Sequence, residues 1–175
     1  MKYSKTEIAV KAIVLSLWMI IITAVETAVL PELKLFDSVP SCLPFVVAAV
    51  AVYDGPWAGL ICGLAAGFLC DGVGGQSFCL YTVVYVVLGA VVGAISPELF
   101  KKSFLGVIGW GSLIYFVGEF LRFFVFFYLF GKADLSAVVS VILPGLLYSL
   151  ALSPVAALPS IILRRFFKKL DPLIR

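Results

Sequence analysis

The stretch DGPWAGLICGLAAGFLCD, Asp54 to Asp71, places Gly55, Gly59, Gly63 and Gly67 at a spacing of four and puts Asp71 at the next step. On a helix, residues four apart share nearly one face. A row of glycines on an apolar helix opens a groove into which another backbone can press closely. Four-residue steps drift by about 40° each against 3.6 residues per turn, so the groove winds and suits a crossed helix better than a parallel one. A carboxylate at the end of such a groove is expensive in lipid and marks a functional candidate. The same spacing recurs at Gly89 and Gly93, and at Ala24 and Ala28. The glycines either pack the chain's own helices together or receive a helix from another protein.

Working outward, turn signals bound this run: Tyr53-Asp54-Gly55-Pro56 before it and Asp71-Gly72-Val73-Gly74-Gly75-Gln76 after it. Further uncharged or nearly uncharged runs lie on either side. They predict an all-α integral membrane protein, one domain over residues 1–175, with six transmembrane spans at about 12–30, 42–53, 57–70, 78–95, 104–130 and 137–163. The second and third runs are short and read either as two helices or as one re-entrant hairpin. Pro40 and Pro44 introduce the second run, and Pro144, Pro154 and Pro159 are expected to break the regularity of the sixth.

Composition agrees with a bilayer environment. Of 175 residues, 63% are hydrophobic and 13% charged, whereas soluble domains are about half apolar and a quarter charged. Ten of the 13 basic residues fall on one side of the six-span topology, which places both termini in the cytoplasm. Lys2, Lys5 and Lys11 before the first run resemble a signal sequence, but the run is long and is read as an uncleaved first span. The net charge of +3 therefore reports topology, and nucleic-acid binding is not expected.

The chain has no histidine and four cysteines without a CxxC pair. No metal site, cofactor or catalytic constellation is expected. Asp54, Gly55, Gly67 and Asp71 superficially match enzymes that transfer CDP-alcohol phosphates, but Gly59 and Gly75 stand where an arginine and an acid are required. Residues 68–71 read Phe-Leu-Cys-Asp, so the GxGD element of an aspartyl intramembrane protease is also missing. The intramembrane polar residues are Glu26, Glu119 and Arg122. Glu119 and Arg122 are three apart and can pair on one face, and Glu26 is read as reaching interfacial water or Arg122. Phe116, Phe120, Phe123, Phe127 and Phe130 form a stripe that faces lipid or a docked protein.

From Val39 to about Gly93 the chain resembles the MreD family of bacterial rod-shape-determining proteins. The resemblance rests on Pro40, on the glycine register closing at Asp71, and on LGAVVG from Leu88 to Gly93. It implies a non-enzymatic scaffold of the cell-elongation machinery in the cytoplasmic membrane. That scaffold would dock the single-span partner MreC and work with MreB, a glycosyltransferase and a penicillin-binding transpeptidase. Gly55, Gly59, Gly63, Gly67, Gly89, Gly93, Pro40 and Asp71 are the expected packing or partner residues. Asp71 and the Glu119–Arg122 pair are expected to orient the docked helix. The family is similar in fold to the substrate-binding subunits of energy-coupling-factor vitamin transporters, which supplies the alternative reading.

Overall fold

A computed structural model describes residues 5–28, 40–73, 79–99, 103–130 and 135–170. They form six helices: α1 (Lys5–Ala28), α2 (Leu43–Asp54), α3 (Pro56–Val73), α4 (Leu80–Leu99), α5 (Phe104–Phe130) and α6 (Leu135–Leu170). Three segments are long and apolar enough to cross a membrane: Val10–Ala28, Phe104–Val125 and Ile142–Ile162.

The helices pack as five around one. α1 packs on α3, α3 on α4, α4 on α5, α5 on α6 and α6 on α1, while α2 packs against all five. Every residue of α2 from Leu43 to Tyr53 is buried. LPFVVAAVAVY has no polar face to present to water, and here the neighbouring helices enclose it. The run expected at 42–53 is thus a short, enclosed helix. The 12 residues of α2 rise about 18 Å, well short of the ~30 Å hydrocarbon core.

α2 and α3 join at Gly55, whose φ of +96° and ψ of −173° suit glycine alone. Gly55 therefore leaves the glycine row: it makes the turn, and a methyl on it would meet nothing within 4 Å. The other members of the row form a seam with α4. A methyl at Gly59, Gly63 or Gly67 would fall closer than 3.0 Å to the backbone of Gly89, Tyr85 or Thr82 respectively. Gly89 and Gly93 answer from α4, against Gly59 and against the Gly55–Pro56 backbone. The groove is thus filled over its length by the chain's own antiparallel α4, and no outside helix can occupy it. Ala24 and Ala28 lie on the exposed side of α1.

The prolines of α6 do not interrupt it, since the helix is continuous through Pro144, Pro154 and Pro159. Pro154 has no N–H for the carbonyl of Leu150. The Ser153 hydroxyl donates to that carbonyl instead, at 2.7 Å, as hydroxyl side chains do beside prolines in membrane helices. Ser149, Ser153, Ala156, Ala157 and Ser160 are all buried, and their small size lets α6 approach its neighbours closely. In α5, Gly111 gives room to the Phe45 ring of α2.

The seam makes a direct test. Gly63→Ala is expected to cost about 1–3 kcal/mol through overpacking against backbone that cannot move aside. Gly72→Ala, at a position open within 4 Å, is expected to be neutral or stabilising by up to about 1 kcal/mol. Thermal unfolding in detergent compares the two, and equal stability of both variants would remove the seam from the account.

Candidate functional site

The polar side chains gather in one part of the bundle, where α2 begins. α2 is shorter than its neighbours, so its first amides lie inside the ring. Ser41 on its approach donates its amide N–H to the Ser149 hydroxyl oxygen at 2.9 Å. From that level α6 extends back to Leu135, a rise of about 21 Å. In a membrane, an amide with no acceptor there would cost several kcal/mol.

Glu26, in the last turn of α1, solves this. Its Oε1 accepts from the Cys42 amide and from the Leu43 amide at 3.3 Å. A carboxylate at a helix N-terminus is also favoured by the helix dipole. Glu26 therefore faces the start of α2, and Arg122 pairs with Glu119 instead. Pro40, fully buried immediately before this point, sets the entry of the chain into α2.

Asp71 does the same for α4. Its Oδ1 accepts from the Tyr81 amide at 3.1 Å, and its Oδ2 accepts from the Thr82 amide at 2.8 Å and the Thr82 hydroxyl at 2.6 Å. The acid that closes the glycine row thus caps the helix that fills the row. Asp71 is buried, and its described bonds all go to the start of α4.

On α5, Glu119 and Arg122 form the expected pair. Arg122 Nε and Nη2 both donate to Glu119 Oε2, at 3.0 and 2.6 Å. The Tyr81 hydroxyl donates to the other carboxylate oxygen at 2.8 Å. Tyr81 links the α4 cap to the α5 ion pair, since its amide binds Asp71 and its hydroxyl binds Glu119. At the opposite end, Lys11 pairs with Asp54, which ties the start of α1 to the last residue of α2.

The charged side chains described are Lys11, Glu26, Asp54, Asp71, Glu119 and Arg122, and each is bonded within the chain. The four cysteines are free thiols. Among the described residues no group of three or more His, Cys, Asp or Glu is placed to hold a metal ion.

The exterior of the ring is apolar. Trp57, Ile61, Leu64 and Phe68 line the exposed side of α3, and Phe116, Phe120 and Phe124 that of α5. Phe116 and Phe120 stack with centroids 6.1 Å apart. Phe123 is half-buried, and the side chains of Phe127 and Phe130 lie outside the described residues.

Several partners escaped sequence reading. Lys11, Tyr81, Thr82, Ser149 and Gly111 carry no local motif. Ser153 does have a signal, because a serine immediately before an intrahelical proline can reach the carbonyl the proline leaves free. The chain matches no family model, no curated protein and no solved structure.

Removing the cap at α2 separates a structural carboxylate from an interfacial one. Glu26→Leu strands two buried amides and is expected to cost about 2–4 kcal/mol, while Glu26→Gln keeps an acceptor and loses less. Asp71→Ala is expected to cost about 1–2 kcal/mol as a lost cap. Denaturation followed by tryptophan fluorescence in detergent measures all three, and an unchanged Glu26→Leu would remove the capping role.

Proposed function

We propose that the chain is a non-enzymatic, six-span scaffold of the bacterial cell-elongation machinery, seated in the cytoplasmic membrane with both termini on the cytoplasmic side. It would hold a single-span partner of the MreC kind and through it join MreB, a glycosyltransferase and a penicillin-binding transpeptidase. The reading rests on the resemblance of residues 39–93 to the MreD family. It is supported by one structural observation: every described charged side chain is engaged inside the bundle, while the ring's exterior is broad, apolar and aromatic. A protein arranged this way has its strong polar bonds committed to its own fold and offers its outside to neighbouring helices.

The glycine seam is occupied, so a partner docks on the ring's outer faces. There it gains van der Waals contact and no glycine-lined groove, and such association is weaker per contact than a close small-residue crossing. In the six-span arrangement α3, with 18 residues, and α4, with 20, rise about 27 and 30 Å and cross the bilayer. α2 and α3 are then a hairpin in which α2 is the shorter arm.

Affinity purification of the full chain in mild detergent tests the reading. Recovery of a bitopic protein with a coiled-coil exterior, together with loss of rod shape on depletion, is expected. Recovery of an ATPase module or a vitamin-sized ligand, with normal cell shape, would replace the scaffold by an uptake subunit.

A further inference from the structure

α1 is fastened to the central helix at both ends, each time by a charge of the sign that end of α2 favours. Glu26 accepts from the Cys42 and Leu43 amides where α2 begins, and Lys11 pairs with Asp54, the last residue of α2. A helix dipole favours an anion at its first turn and a cation at its last. Lys11 and Glu26 stand fifteen residues apart, a rise of about 22 Å, against about 18 Å for α2. One antiparallel register therefore serves both ends. Between the two charges the hold is thin. Leu15, Met19, Ile22 and Thr23 are buried, while Ile13, Leu17 and Ile20 are exposed. α1 has no glycine. The Thr23 hydroxyl donates to the Met19 carbonyl of α1 itself, at 2.7 Å. The Trp18 indole N–H, though buried, donates to nothing among the described residues.

We propose that α1 is a clasped side of the ring that opens as one unit, baring the flank of α2 and α3 that it covers. Helix association in lipid rests on close packing and hydrogen bonds. α1 finds strong polar bonds at its two ends and lacks the glycines that bring α3 and α4 into backbone contact. The shared register makes the clasp all-or-none. A slide of one turn, about 5.4 Å, takes Glu26 from its amides and Lys11 from Asp54 together. Regions with few buried contacts open as such cooperative units. The rest of the bundle stands without α1, because α3 stays on α4 along the glycine seam and α2 stays packed on α3, α4, α5 and α6. Cys62 of α3 reports the motion. Its Sγ lies 3.8 Å from Met19 Sδ and is buried under the middle of α1, about two turns from either charge. The device goes beyond the scaffold reading and does not depend on it.

The rate at which N-ethylmaleimide modifies Cys62 in the detergent-solubilised full chain tests the clasp. Peptide mass spectrometry reads the label, with the exposed Cys79 as internal standard. Lys11→Met leaves the Asp54 carboxylate uncompensated in the closed arrangement and is expected to speed labelling of Cys62 about tenfold. Glu26→Gln keeps an acceptor and is expected to speed it about threefold. Gly111→Ala crowds Phe45 from α5, a helix that α1 does not touch, and is expected to leave the rate unchanged. Asp54→Asn stands in if Lys11→Met does not fold. An unchanged rate in both clasp variants would overturn the proposal. Acceleration in only one of them would do so too, since the ends would then act separately. Equal acceleration by Gly111→Ala would show that Cys62 is reached by unfolding of the whole chain, and would overturn it as well.

Discussion

A helix that ends inside a bundle must find acceptors for its first amides, and here the carboxylate of Glu26 provides them. α2 is short because its chain enters at Pro40 and turns out at Gly55, which leaves room for a helix of 12 residues. Its side chains from Leu43 to Tyr53 are apolar and buried among the other helices. Its beginning is polar backbone in a place with no water to satisfy it. Glu26 meets that need from α1, and Lys11 on the same helix binds Asp54 at the other end of α2. Two polar contacts thus hold α1 against the central helix, although much of the rest of α1 faces outward.

The same logic repeats one hairpin later. Asp71 ends the glycine-bearing face of α3 and caps α4, the helix lying against that face. Close approach and capping reinforce each other. Glycines allow the backbones to touch, and contact at that distance brings the carboxylate to the amides of Tyr81 and Thr82. Tyr81 passes the constraint on to Glu119 and Arg122, so α3, α4 and α5 share one chain of polar bonds. In a bilayer, helix association has no hydrophobic drive of its own, and packing with hydrogen bonds carries it. The five-around-one arrangement is what those two terms favour for one enclosed helix and five with a single inward face.

The order and approximate positions of the helices were legible in advance, α5 even to its ends at Phe104 and Phe130, whereas α1 begins at Lys5 and α6 runs on to Leu170, beyond the apolar runs expected there. The Glu119–Arg122 pair was legible because it lies within one turn of one helix. The close-packing character of Gly59, Gly63 and Gly67 was legible too. Their occupant was not, because a groove of glycines has the same local pattern whether the backbone entering it comes from this chain or another. Gly55 was read both as a member of the row and as part of the turn, and the structure gives it the turn's conformation. Spacing placed it in the row, but a proline directly after it starts a new helix and turns the glycine into a hinge. The prolines of α6 were read as breaks, but the helix is continuous through all three, and at Pro154 the hydroxyl of Ser153 takes the carbonyl left free.

Hydropathy and four-residue spacing are local properties, and they alone settled that this is an apolar helical protein with a close-packing face on α3. Where each carboxylate finds its donors was decided by the fold, through pairings such as Glu26 with Cys42 and Asp71 with Thr82. Those pairings depend on the depth at which α2 stops and on which helix fills the seam. Both are outcomes of three-dimensional packing among residues far apart in the chain, and no short-range pattern encodes them.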